Sequence, residues 1–368
     1  MKVLLLISRP IYPLNGGDRV RVDLLLRLAK SLGETNVIAS LLWFEKFEKT
    51  KQELAQQKIP VYEYRISPLR LVINILISLL GKLPIQNSLY RTKALLERDL
   101  SQYDIVFHHL SRTHRIVNVK EEKSIIDLTD NLLIHYNQVK FNGSIKSLFF
   151  LIEKKRIQNY YNSLSPKSTY SFISKRDRLS EHDLIIRNDS CYVCNLHSKD
   201  SKNILFIGNM LSYPNQQAIK TFVKLNTGFF EKNKFQLFVL GRGSGNTDFE
   251  NKGWIKTIES YKNLKSLNIK FRFGIAPMLS GAGLQNKVLD YIKHAIPAIV
   301  TSVTAEAFPK NNKLIFREDN ISKYGEIIQA NKVLGNLESI AEKYITSEFS
   351  FENIKDKIEL ELFKKSRG

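Results

Sequence analysis

Cysteine is scarce in this chain: Cys191 and Cys194 are the only two among 368 residues. Two cysteines give no disulfide framework. They form a CYVC pair with His197 nearby. A zinc site needs about four ligands, no second pair exists, and ordinary thiols are expected. Long apolar runs are also lacking. The most apolar internal stretch, LRLVINILISLL from Leu69 to Leu80, falls short of the about 18 residues that cross a bilayer. It reads first as a buried helix and second as an interfacial one. The N-terminal MKVLLLISRP loses its apolar character at Arg9-Pro10, too early for a signal peptide. Without a spanning segment the chain is expected to act in the cytoplasm, at most docked on the inner face of a membrane.

Acidic residues are few: 36 Asp and Glu stand against 56 Lys and Arg, a net charge of +20. Such a field attracts phosphates, nucleic acid or an acidic membrane surface. The excess is spread, 31 basic against 20 acidic residues in 1–200 and 25 against 16 in the remainder. It makes no dense basic stripe with aromatic platforms, and no helix-turn-helix stands out, so nucleic acid is not an expected partner. A generally lysine-rich surface is the plainer reading of the same charge. A 43% hydrophobic share with 25% charged residues is globular, and the length calls for two domains.

What is present is a β/α rhythm. KVLLLIS (Lys2–Ser8) is a continuous apolar run, as in a strand buried on both faces of a parallel sheet. A Pro/Gly loop follows. DRVRVDLLLRLAKSLG then reads as a helix, with Val20, Leu24, Leu28 and Leu32 on one face, Asp18 as cap and Gly33 as stop. VIASLLWF completes a βαβ unit. Further strands are expected at Asp104–His108, Ser124–Leu128 and Ser168–Ile173, and a helix through IEKKRIQNYYNSL. After the polar stretch 190–202 the rhythm restarts with NILFIG, FQLFVLG, FRFGIAPM and PAIVTS, and helices near 214–230 and 285–295. The expected division is residues 1–189, a linker at 190–202, a second domain at 203–350, and a charged C-terminal helix at 351–368 that could cross back to the first. The fold class is α/β, two Rossmann-like parallel domains with ligand loops at strand C-termini facing a cleft.

The most informative stretch is APMLSGAGLQNKVLDYIKHAIPAIVTS, Ala276 to Ser302. A strand ends near Pro277. The loop Ser280-Gly281-Ala282-Gly283 lets a ligand approach the backbone closely. A helix begins around Leu284, and its free N–H groups carry a partial positive charge suited to phosphate. Lys287 adds a charge in the first turn. Asp290, one turn on, can accept two ribose hydroxyls. The plain alternative is a βα turn whose glycines serve packing.

This stretch resembles the donor-site signature of the GT-B glycosyltransferases of family 4, in the polysaccharide-biosynthesis sugar-transferase branch. Arg9–Arg21, Gly81–Arg91, Asp104–Arg115, Ile125–Tyr136 and Gly208–Ile219 are similar, in the same order, to the family's other loops. The resemblance implies transfer of a sugar from a UDP- or GDP-type nucleotide sugar to a glycan or lipid-linked acceptor, with retention of configuration and no bound metal or cofactor. It implies donor contacts from Gly208, Asn209, Arg242, Gly281, Ala282, Gly283, Leu284, Gln285, Asn286, Lys287 and Asp290. It implies acceptor-side contacts from Gly16, Gly17, Arg19, Arg112 and Asp130, and a catalytic set of His109, Lys287 and Asp290. His109 is one of three histidines at a strand end, and a polar-loop role is the alternative for it. Asp127 and Asp130 of IDLTD could orient an acceptor or act as base, or serve the turn. The sequence departs from the family pattern in having Asp at 290 for the usual Glu. It also lacks the earlier Glu of the pair and the basic pair after the first donor strand. GRGSG (Gly241–Gly245) lacks the full dinucleotide spacing. Two rival readings remain open: a sugar-nucleotide epimerase of the same shape, and an inactive scaffold binding anionic lipid or partner proteins.

Overall fold

Uninterrupted apolar runs of five or six residues become strands with both faces covered. In the computed structural model β1 (Lys2–Ile7) has Val3 to Ile7 wholly buried. The structure describes all residues except 15–16, 138–143, 247–251, 282, 310–312, 331–334 and 368. The chain divides into two compact units, Met1–Asn188 with Ile354–Gly368, and Asp189–Asn353.

In the first unit β1 is followed by α1 (Gly17–Leu32), β2 (Glu34–Leu42), α2 (Glu48–Gln56), β3 (Val61–Ile66) and α3 (Pro68–Leu80). Then come α4 (Lys93–Leu96), β4 (Ile105–His109), β5 (Ser124–Thr129), α5 (Leu132–Asn137), α6 (Ile145–Asn162), β6 (Thr169–Phe172) and β7 (Leu184–Ile185). Among the described residues the strands form one parallel sheet in the order β3-β2-β1-β4-β5-β6-β7. Leu5 of β1 lies between Val37 of β2 and Phe107 of β4. Asp18 sits inside the first turn of α1, paired with Arg9, not at the cap position the sequence suggested.

The second unit repeats the plan with β8 (Asn203–Ile207), α7 (Tyr213–Asn233), β9 (Gln236–Leu240), β10 (Ile255–Ile258), β11 (Phe273–Ala276) and α8 (Asn286–Lys293). It continues with β12 (Ala298–Val300), α9 (Ser302–Ala305), β13 (Ile315–Arg317), α10 (Tyr324–Ala330) and α11 (Leu337–Phe349). Its parallel sheet runs β10-β9-β8-β11-β12-β13. The segment after Asp189 is bound to this unit: Val193 N–H donates to Lys293 O at 2.9 Å, Leu196 N–H to His294 O at 2.9 Å, and His197 bridges Phe271. A last helix, α12 (Phe351–Arg367), begins in the second unit, and its residues from Ile354 onward count with the first.

Each sheet grows outward in both directions from its first strand. The chain therefore reverses direction beside β1 and β4, and again beside β8 and β11. In such sheets ligands sit beyond the strand C-termini at that reversal.

One expectation is overturned. The apolar stretch Leu69–Leu80 does form a helix, α3, but it is not buried. Leu69, Val72, Ile73, Leu76, Ile77 and Leu80 face solvent, while the polar Asn74 and Ser78 are buried. Asn74 fixes this orientation by donating through Nδ2 to the carbonyls of Leu89 and Arg91, both at 3.1 Å. Among the described residues no helix is long and apolar enough to cross a membrane.

Candidate functional site

The reversal point of the second sheet gathers most of the donor-side candidates. β8 ends into Gly208 and Asn209, and β11 ends into the loop that leads to α8. Gly281 and Gly283 adopt φ of +152° and +69°. Gly283 in particular has a left-handed backbone that a side chain would strain. Ala282 lies outside the described residues. Leu284 is buried, Gln285 stands at the N-cap of α8, and Asn286 is its first residue. The helix thus starts two residues later than the sequence suggested. Its first turn follows directly on the glycine loop.

Tyr291 locks α8 to the sheet. Its hydroxyl donates to Ile275 O in β11 at 3.0 Å and accepts from Ile207 N in β8 at 3.0 Å. One buried phenol therefore bridges both strands at the reversal point and fixes the helix that carries Lys287 and Asp290.

Lys287 is the unusual group. It is only 7% exposed. Its Nζ donates to Asn215 Oδ1 at 2.6 Å, lies 3.4 Å from Met278 Sδ, and stands 4.3 Å from the centre of the Phe206 ring. Among the described residues no carboxylate pairs with it. Burial alone pushes its pKa down to about 7. The sequence suggested a full charge here; desolvation leaves it partly neutral near pH 7. Asn215 also donates through Nδ2 to Asn209 O at 3.0 Å. Lys287, Asn209 and the end of β8 are thereby held together. Asn215 lies within the motif the sequence offered but carried no signal of its own, because its partner is 72 residues away.

Asp290 is part-exposed and pairs with Lys293 at 3.2 Å. Tyr261, just beyond β10, has its pKa pushed up to about 12, first by burial and then by the Asp290 charge. Its phenol thus feels the charge of that carboxylate, and sequence reasoning missed it. Arg242 is exposed, and its carbonyl accepts Met210 N–H at 2.8 Å, stitching the loops after β8 and β9. The first glycine of GRGSG serves this stitching. At φ +129° a Cβ on Gly241 would stand 2.4 Å from Gly208 O.

In the first unit the reversal point holds His109, Arg112, Asp18 and Asp130. Asp18 is the shared neighbour, its charge acting on each of the other three. His109 ends β4, is buried, and its Nδ1 has no hydrogen-bond partner among the described residues. Burial pushes its pKa down to about 4, so it is a neutral imidazole at pH 7. His108 and His114 are engaged elsewhere, with Thr113 O at 3.1 Å and the Tyr160 hydroxyl at 2.8 Å. The guanidinium carbon of Arg112 stands 5.9 Å from the Tyr90 ring centre, and its Nε has no partner among the described residues. Burial and then the like charge of Arg9 lower its pKa.

Asp130 follows the left-handed Thr129, φ +62°. A β-branched residue rarely takes that conformation, and such outliers gather at working sites. Burial, and next the charge of Asp177, push the Asp130 carboxyl up to about 7. Arg19 is bound to the Pro13 carbonyl at 2.9 Å, and Gly17 opens α1. Gly16 lies outside the described residues. Asp127, the other carboxylate of IDLTD, is no free base. It is fully buried and accepts from Arg21 at 2.9 and 2.5 Å, Ser171 at 2.8 Å and Thr129 at 2.9 Å.

Among the described residues no group of three or more His, Cys, Asp or Glu is placed to hold a metal. A surface hollow of about 450 Å³ between Leu96–Ser101 and Asn118–Lys123 lies at the strand N-termini, the opposite end from these clusters.

No protein-family profile matches the chain. A Klebsiella pneumoniae protein described as an uncharacterized 44.6 kDa protein in the cps region is 23% identical over 377 residues, 92% of this chain and 93% of the relative. Among solved structures, Anabaena HepE in complex with UDP superposes with a TM-score of 0.63 at 12% identity, covering 99% of this chain and 100% of HepE. A second HepE structure holds UDP-glucose, with TM-score 0.62 at 12% identity and coverages of 98% and 99%. A glycosyltransferase from Rickettsia africae gives 0.61 at 13% identity, covering 100% of this chain and 99% of its own. At these identities the likeness is one of fold: the chain has the two-domain GT-B architecture of nucleotide-sugar glycosyltransferases.

Proposed function

We propose, with that fold as premise, that the chain is a family 4-type glycosyltransferase of polysaccharide biosynthesis. It takes a UDP- or GDP-type nucleotide sugar and passes the sugar to a glycan or lipid-linked acceptor. The observation that carries this reading is Lys287, a buried cation with no carboxylate partner among the described residues, beside a glycine loop and a helix start at the reversal point of the second sheet. A buried charge is ordinarily paired or neutralised, and an arriving diphosphate would supply the missing counter-charge. HepE's complexes with UDP and UDP-glucose support the donor class. The relative from a cps region supports the pathway class.

In this reading the diphosphate rests on the backbone of Gly281, Ala282 and Gly283, the N–H groups of Leu284 to Asn286, and Lys287. Gly208, Asn209 and Arg242 border it, and Asp290 holds the ribose hydroxyls. The bond from anomeric carbon to phosphate oxygen breaks as charge builds on the leaving group. Fixed donors aimed at such charge are worth on the order of 3 kcal/mol each. The acceptor hydroxyl oxygen bonds to the anomeric carbon on the same face, and its proton passes to the departing phosphate oxygen, so configuration is retained without a metal or a protein nucleophile. His109, neutral and with Nδ1 open, would hydrogen-bond the transferred sugar. Gly16, Gly17, Arg19, Arg112 and Asp130 would line the acceptor side. The chain works in the cytoplasm and meets the inner face of the membrane peripherally.

A thermal-shift panel of nucleotides and sugar nucleotides tests the reading. A rise in unfolding temperature with UDP- or GDP-sugars and not with adenine nucleotides supports it. Product analysis with and without acceptor then separates transfer from epimerisation, and a scaffold would show no turnover. No stabilisation by any nucleotide would remove the donor site.

A further inference from the structure

Helix α3 is amphipathic in the inverse sense. Leu69, Val72, Ile73, Leu76, Ile77 and Leu80 recur at the three- and four-residue spacing of one helical face, and that face points outward, Leu69 72% and Leu80 92% exposed. The opposite face buries Asn74 and Ser78. A surface helix in water alone would show the reverse pattern. Helix α6 adds a second outward stripe of Ile145, Leu148, Phe149 and Ile152, with Ile145 88% exposed. The two are tied together. Arg156 of α6 donates to Leu79 O at the end of α3 at 2.7 Å and pairs with Glu153 at 2.7 Å, and Glu153 accepts from Ile85 N at 3.0 Å. Monomers rarely expose whole rows of apolar side chains on a helix without a partner for them.

Charge identifies the partner. Between Glu63 and Glu97 the sequence has five Lys or Arg and no acid; Arg65 and Lys93 pair with those two flanking glutamates, which leaves Arg70, Lys82 and Arg91, and residues 131–152 also contain no acid. Lys82, directly after α3, is exposed. Two copies meeting through this face would bring like charges together on a chain that already carries +20. An anionic lipid leaflet answers both the apolar stripe and its basic flanks. We infer that the outward faces of α3 and α6 seat the protein on an anionic bilayer, α3 lying in the interface with its apolar side chains among the acyl chains. At 13 residues α3 is about 20 Å long, too short to span but suited to lie flat. The inference deepens the peripheral contact in the functional reading and does not depend on sugar transfer. It assigns that contact to named residues.

The test is co-sedimentation of the full chain with vesicles of phosphatidylcholine containing phosphatidylglycerol, against vesicles of phosphatidylcholine alone. The native chain should partition at least about tenfold more strongly to the anionic vesicles, and salt should weaken it. The double variant Leu76→Ser with Ile77→Ser, and separately Ile145→Ser, should cut that partition by about tenfold or more. Because these side chains are exposed, UDP binding by calorimetry should stay within about twofold of native, so loss of docking and loss of the donor site read out separately. Unchanged partition in both variants would overturn the inference. So would a native dimer in lipid-free sedimentation that the same substitutions dissociate, since the face would then join two copies.

Discussion

Two buried cations sit near the reversal points of the two sheets, and they have opposite surroundings. Arg21, in the helix after β1, is held by both oxygens of Asp127 and by the Ile186 carbonyl. Burial alone would raise the Asp127 pKa, yet the Arg21 charge and hydrogen bonds, with His109 and Ser171, bring it below the usual carboxylate range. Lys287, in the helix after β11, has an amide oxygen, a thioether and a ring face for company. The first cation is complete within the protein. The second has no carboxylate partner among the described residues. The difference teaches that two buried cations can be complete or incomplete within the protein: the partner list, more than burial, separates them, and the second is the one we propose to meet a phosphate.

The largest expected effect falls on the complete pair. Asp127→Ala leaves Arg21 buried without a counter-charge and should cost about 3–5 kcal/mol of stability, read by urea unfolding. Nucleotide affinity of the folded fraction should not change. A loss under about 1 kcal/mol would break the comparison, because Arg21 would then not need its partner.

Lys287→Met should do the reverse. A buried ion exchanged for an apolar chain of similar size is often neutral or stabilising, so the unfolding temperature at pH 6 should hold or rise. UDP affinity should fall about 10- to 100-fold, the worth of a charge-assisted hydrogen bond. The pH dependence sharpens this. Lys287 is lowered from 10.5 to about 7 in the folded chain, so the unfolded chain binds more protons between those values and native stability rises with pH across that window. Any stability advantage of Lys287→Met should be greatest below pH 7 and shrink as pH climbs toward 10. Affinity of the native chain for UDP should weaken above pH 7, as binding then requires proton uptake.

Smaller effects follow. Asp290→Ala should weaken nucleotide binding about tenfold, with a nucleotide lacking ribose hydroxyls insensitive to the change. For Asp130, raised from 3.8 to about 7, the folded chain holds the extra proton. Native stability is therefore lost as pH rises through about 7. Asp130→Asn should match the native chain near pH 4 and be modestly more stable at pH 8, by thermal unfolding.

Much of the fold was legible, and the missed strands share one cause. The interior strands announce themselves as unbroken apolar runs such as KVLLLI and NILFI, because helices cover both faces. The four strands that sequence reasoning passed over, β3, β7, β10 and β13, are the outermost strands of the two sheets. VYEYRI and IKTI carry charge and are largely part-exposed, so they lack the run that marks a central strand. Helix α3 shows a second limit. Its existence is legible in the apolar spacing, but its direction depends on Asn74 finding the carbonyls of Leu89 and Arg91. At the donor site, the loop and helix start were readable as glycine followed by Gln-Asn-Lys. Asn215 and Tyr261 were not, since the hydrogen bond of the first and the charge that acts on the second both come from residues far along the chain.

The most direct measurement is a calorimetric titration of UDP-glucose into the native chain and into Lys287→Met at pH 6. The account predicts measurable binding by the native chain and a loss of about tenfold or more in the variant, with an unfolding temperature no lower than native. Equal affinity in a variant that remains folded would contradict it: the buried lysine would then have no part in holding a nucleotide.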